Sequence, residues 1–380
     1  AAPPPLAGAP GAAAANVFNP AMSLVLGGTY ASLQRDPSTW RLGGFLPPGG
    51  EVGPGSRSFS LGESELTLSA NIDPLFSGQL TFSLSPENEV SVEEAFVRTR
   101  AFGNGLNLQA GRFLSGIGYL NGQHTHAWDF VDAPLAYQAF LAGQYKPDGL
   151  RATWLAPTDM FVELGAEVGN GSSFPGTDRN KNGTNATAIY AHVGDDVGTS
   201  GSWRAGLSYL RTRAGNREFD EDGMTGAFAG RSQLWIADAI YKWAPNGNST
   251  QTNLKLQGEY FRRKEDGSLG LGEEQGAYAS RQSGWYVQGV YQFMPAWRVG
   301  LRYDRLDSGS VSLGGLAPAL FPTLAAYKPK RSTVMLDWSP SEFSRLRLQF
   351  AQDKARRGES DNQIYLQYVM SLGTHAAHAF

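Results

Sequence analysis

Residues 362–373 read NQIYLQYVMSLG, and the alternation in them decides the fold. In an extended strand successive side chains point to opposite sides. Ile364, Leu366, Tyr368, Met370 and Leu372 therefore share one face, and Gln363, Tyr365, Gln367 and Ser371 share the other. Residues 285–293 repeat the pattern, with Trp285, Val287, Gly289, Tyr291 and Phe293 on the apolar face and Tyr286, Gln288 and Gln292 opposite. In 231–243 Trp235, Ala237, Ala239, Tyr241 and Trp243 align and turn Asp238 to the polar side. Trp235 and Trp243 would stand roughly 20 Å apart along a tilted strand, near the height of the apolar band that aromatic girdles border in membrane barrels.

Outward from these strands, the chain after Met22 repeats one unit: a run of alternating polarity, a short turn, a second run, then a long polar stretch. Short breaks fall at Asp73-Pro74, Gly103-Asn104-Gly105, Ala156 to Asp159, Asp195-Asp196, Pro245-Asn246-Gly247, Met294-Pro295 and Ser339-Pro340-Ser341. Long ones fall near 35–57, 116–147, 170–185, 214–230, 265–281, 308–329 and 355–361. This rhythm predicts an all-β, transmembrane antiparallel β-barrel of about 16 strands, with short periplasmic turns and long extracellular loops. The run 90–101 fits worst, because the adjacent Glu93 and Glu94 would face opposite ways unless a bulge intervenes.

Composition agrees. The 380 residues include 47 Gly, 9 Trp, 15 Tyr, 20 Phe and no Cys, which suits many short strands and excludes disulfides and thiolate metal sites. Formal charge is −3, with no basic stripe of the kind nucleic acid selects. There is no predominantly apolar run of 18 residues, so the membrane-spanning option is a closed barrel. Residues 1–20, rich in Pro and Ala, are expected to be a flexible periplasmic segment at the start of an exported chain, and 21–380 the barrel.

The run Glu94-Ala95-Phe96 followed by Gln109-Ala110-Gly111-Arg112-Phe113, together with the strand rhythm and the terminal Phe380, resembles the outer-membrane porin superfamily, especially its phosphate-selective-type and uncharacterised members. Gln123 to Pro134 and His375 to Phe380 also resemble barrels labelled zinc-regulated TonB-dependent outer-membrane receptors, but the chain has no room for their plug and 22 strands. The resemblance implies a bacterial outer-membrane location, lipid and lipopolysaccharide as surroundings, small hydrophilic solutes as cargo, a homotrimer, and one long loop folded into the lumen.

Inward charges set what a pore admits. The expected pore-lining residues are Glu63, Glu65, Arg112, Glu163, Glu167, Arg204, Arg298, Arg302, Arg345 and Arg347, acidic mainly in the first half of the chain and basic in the second. Opposed walls would create a transverse field, unless the charges pair with one another. In the 116–147 loop, His124 and His126 lie at i and i+2 near Asp129 and offer a zinc site. The alternative is a loop packed by its aromatics with hydrogen-bonded imidazoles. Asp178-Arg179-Asn180-Lys181-Asn182-Gly183 matches half of a calcium loop, with Ile189 where the closing Glu belongs. Gly116-Ile117-Gly118 lacks the βαβ setting of a nucleotide fingerprint, and no nucleophile motif accompanies the histidines, so no enzyme is expected. The leading expectation is passive diffusion of small hydrophilic solutes through a water-filled barrel narrowed by the 116–147 loop. Divalent zinc binding or uptake, and a structural barrel partner in an envelope complex, are the alternatives.

Overall fold

A computed structural model describes residues 20–49, 52–86, 88–100 and 102–373. It contains seventeen strand segments, each paired antiparallel with its sequence neighbour. β1 (Ala21–Leu33) pairs with β17 (Asp361–Gly373), Ser23 opposite Gly373, and closes the ring. On its other side β1 meets both β2 (Ser58–Leu61) and β3 (Ser64–Asn71), which are two halves of one strand interrupted at Gly62 and Glu63. The ring therefore has sixteen staves, as the turn rhythm predicts.

Alternation sorts the side chains as the quoted stretches require. Ile364, Leu366, Tyr368 and Leu372 are exposed on the outside of the ring, whereas Gln363, Tyr365 and Ser371 are buried within it. Trp203, Tyr241, Tyr291, Trp297 and Trp338 stand outward near the short turns, and Tyr209, Trp235, Tyr260, Trp285 and Tyr303 stand outward nearer the long hairpins. Pairs such as Trp297 with Trp338 (5.9 Å) and Tyr209 with Trp235 (4.7 Å) tie neighbouring strands within each girdle. Between the girdles the exposed surface carries Leu207, Leu256, Val287 and Leu301, an apolar belt of the kind lipid covers.

Several boundaries differ from the sequence expectation. Residues 214–230 and 265–281 are not loops. β10 (Gly201–Glu221) and β11 (Met224–Trp243) are long strands joined at Asp222-Gly223, both at positive φ, and β12 (Asn253–Leu271) and β13 (Glu274–Met294) are joined through Gly272. These hairpins extend past the belt because Phe219, Phe228, Leu269 and Tyr278 pack against Leu316 and Phe321 of the segment after β14 (Trp297–Ser312). Asp195 and Asp196 end β9 (Ala186–Val197), and Ser339 to Ser341 end β15 (Lys330–Ser341), so both turns come later. In β5 (Val90–Thr99) Thr81 pairs with Glu94 and Phe82 with Val92, which leaves Glu93 as the extra residue of a bulge. Both adjacent glutamates thereby turn inward and are buried. Residues 1–19 and the terminal His375, His378 and Phe380 lie outside the described residues.

Candidate functional site

The chain between β6 (Leu106–Arg112) and β7 (Asp148–Leu155) runs through the inside of the ring instead of over its rim. This inner segment, 113–147, includes the short helix α1 (Leu135–Leu141), every residue of which is buried. Its aromatic and aliphatic side chains have strand partners: Tyr137 and Phe140 pack on Phe261, and Phe130 joins Val290 and Met335. At this level the expected water-filled space holds a hydrophobic cluster that also takes in Trp40, Leu42 and Phe45 of the 34–57 segment.

A backbone led through an interior must find partners for its N–H and C=O groups. The walls supply them. Glu94 accepts from Leu114 N (3.1 Å), and Glu167 of β8 (Phe161–Gly169) accepts from Ser115 Oγ (2.6 Å) and Gly116 N (2.9 Å). Glu259 of β12 accepts from Tyr119 N, Leu120 N and the hydroxyls of Tyr137 and Tyr286. Two staves further on, Asp304 of β14 accepts from Leu135 N (2.8 Å). Arg347 of β16 (Ser344–Lys354) donates to Trp128 O (2.8 Å), and Arg345 donates to His126 O. The run Gly116-Ile117-Gly118 serves this approach. A Cβ on Gly116 would fall 2.4 Å from the Tyr190 ring, and one on Gly118, at φ +68°, would fall 2.5 Å from Glu259 Oε2.

Nine of the ten charged residues expected to line a pore stand on the inner side, whereas Arg112 shares the outward phase of Leu108 and Ala110 at the end of β6, and each of the ten is engaged. Arg112 forks onto Asp148 (2.6 and 3.0 Å), and Glu163 meets His192 Nδ1 (3.0 Å). Arg204 reaches Asp238 and Gly118 O. Arg298 reaches Asp129 and Asp337, and Arg347 also takes Asp337. Arg302 takes Asp132 (2.8 Å) and Asp304 (3.0 Å). Sequence reasoning missed Glu93, Glu94 and Arg331 as part of this lining. The adjacency of Glu93 and Glu94 was a signal, because only a bulge accommodates it. Arg331 carried none beyond its strand phase.

The proposed metal triad is divided. Asp129 turns away from the histidines to Lys255 (2.5 Å) and Arg298 (3.3 Å), because the segment crosses the ring between Thr125 and Asp129. His124 and His126 stack, ring centroids 5.5 Å apart, against carboxylates of the β3–β5 wall. His126 Nδ1 lies 2.8 Å from Glu65, and His124 Nδ1 lies 3.1 Å from Glu65 and from Glu93. Thr125 donates to Glu63 between them. Burial pushes the His124 imidazole down, but hydrogen bonds to Glu65, Glu93 and Glu94 outweigh it and raise it to about 12. In the outer loop Asp178 closes a turn by accepting from Asn180 N (2.8 Å).

No family model matches the chain. An uncharacterised protein of Aquifex aeolicus (strain VF5) is 33% identical over 346 residues, 85% of this chain and 70% of that protein. Among solved structures, OmpT lacking loop L8, an outer membrane protein of Vibrio cholerae, superposes with a TM-score of 0.58 at 12% identity, over 92% of this chain and 98% of that one. The outer membrane channel DcaP of Acinetobacter baumannii gives 0.55 at 12%, covering 92% and 96%. OprB of Pseudomonas putida gives 0.55 at 14%, covering 93% and 94%. The shared property is the fold: a closed barrel of the outer-membrane kind, whose apolar belt seats this chain in that membrane.

Proposed function

The chain belongs to the family of the Aquifex aeolicus protein, and from that footing we propose that it is a porin-like outer-membrane channel for small hydrophilic or charged solutes, held narrow by the 113–147 segment. The observation that carries this is the anchoring of one segment to facing walls, Glu94 and Glu167 on one side and Asp304, Arg302 and Arg347 on the other. A polar cavity of about 510 Å³ at the short-turn end, lined by Ser69, Asn71, Ser77, Gln79, Arg98 and Asn107, supports a hydrated entrance there. DcaP, described as an outer membrane channel, supports the same role by analogy of fold. A homotrimer belongs to this reading, as one form of OmpT is described as a trimer.

Planar-bilayer conductance tests it. The Gln144 side chain already bonds Asn121 O (3.2 Å), so residues 122–143 are replaceable by a short Gly-Ser link. The intact chain is expected to give small ohmic steps, and the shortened chain steps several-fold larger. Equal steps from both would refute the narrowing role, and silence from both, with folded protein, would refute the channel.

A further inference from the structure

Two register defects of the barrel fall beside each other, and both turn extra carboxylates inward. The break between β2 and β3 presents Glu63, and the β5 bulge presents Glu93 next to Glu94. With Glu65 these four face the two stacked histidines of the inner segment. The Glu65, Glu93 and Glu94 side chains are 2%, 0% and 9% exposed, and among the described residues the fixed cation paired with the group is Lys146, 3.4 Å from Glu93. The group thus holds more carboxylates than fixed cations, an excess that a dication would offset.

We propose that Glu65, Glu93, His124 and His126, flanked by Glu63 and Glu94, form a divalent-cation site of the zinc type that staples the inner segment to the β3–β5 wall. The donor atoms of Glu65, His124 and His126 lie within 4.8 Å of one another, as do those of Glu63, Glu65 and Glu93. Glu65 belongs to both sets. A tetrahedral zinc with bonds of about 2.0–2.1 Å needs donors about 3.4 Å apart, so the present contacts of 2.8–3.1 Å open by a few tenths of an ångström to admit it. Imidazole nitrogen with carboxylate oxygen is a zinc-type donor set. Bulges cluster where a side chain must be re-aimed for use, and here two of them re-aim carboxylates at one point.

Zinc titration calorimetry on the folded full-length chain in detergent tests the site, with heat-modifiable gel migration confirming each barrel. The expected result is one saturable ion per chain. Its affinity should fall more than about 100-fold in His124→Ala/His126→Ala, beyond what the loss of an outer-sphere partner costs. Glu65→Gln should weaken it in a chain whose inner segment keeps its other anchors, and Asp178→Asn in the outer loop should leave it unchanged. No saturation in the wild type, or an unaltered titration in both the histidine and Glu65→Gln variants, would overturn the proposal and leave an imidazolium ion-pair cluster. The site depends on the seat of the inner segment and not on conduction. A chain that binds zinc yet carries no current retains it while refuting the channel, and a conducting chain that binds none does the reverse.

Discussion

Asp132 shows what a single residue does for the inner segment. Burial pushes its carboxyl up, yet the guanidinium groups of Arg331 (2.5 Å) and Arg302 (2.8 Å), with a hydrogen bond from Gln349, outweigh that and bring it from the ordinary 3.8 to about 2. A carboxyl held below its unfolded value contributes stability that is complete above the unfolded value and lost as pH falls through the folded one. The anchor, about 2 kcal/mol by this linkage, should therefore be whole at pH 5 and released as pH falls through about 2. Hydrogen exchange in a peptide spanning 129–141, corrected for intrinsic rates, should show protection lost over that range. Asp132→Asn leaves two buried guanidinium groups short of a partner, and should cost roughly 3–5 kcal/mol with no such pH step. A step of equal size in the variant would assign the loss to another group.

At the scale of the strand, β14 separates two solvents residue by residue: Leu301 is 64% exposed to the belt and Arg302 is 3% exposed inside. Leu301 lies between Trp297 and Tyr303 of the two girdles, so Leu301→Arg places a charge near mid-bilayer. It should cost about 2–4 kcal/mol, read as a lowered urea midpoint for folding into lipid vesicles. An unchanged midpoint would mean this face meets something other than lipid. Strands of this kind were legible because lipid on one side and water on the other enforce a period of two, as in 285–293 and 362–373. The β10–β11 and β12–β13 tips were read as loops because their outer face, beyond the lipid, is polar like their turns. Asp222-Gly223, a strong hairpin dipeptide, was the available clue. The histidine pair was legible too, but its partners were not: Glu65 and Glu93 meet it from staves separated by β4, and Asp129 leaves it by a bend no spacing encodes.

For the whole molecule, the expected opposition of acidic and basic walls resolves into pairing mediated by the inner segment. Arg298, Arg302, Arg331 and Arg347 meet Asp129, Asp132, Asp304 and Asp337, two of which the segment itself contributes. In the proposed channel a solute would meet the remainder after pairing, not the sum of wall charges. Asp129→Asn removes the partner shared by Lys255 and Arg298, and in a salt gradient the reversal potential should move toward chloride. Movement toward potassium would mean these cations do not face the conducting path.

The ring closes where Ser23 meets Gly373, and that pairing has a kinetic meaning. Bringing together strands at opposite ends of a chain is about as non-local as a contact can be, and such contacts form late and slowly. The inner segment leaves the chain at Arg112, but its far anchors, Asp304, Arg331 and Arg347, are synthesised 169 to 219 residues after the groups they hold. It cannot be fitted into a finished cylinder through its own mid-chain attachment as easily as it can be wrapped by an unfinished one. Assembly then resembles a sheet rolling shut around its own contents, with the last hydrogen-bonded seam and the last internal anchors completed in the same event.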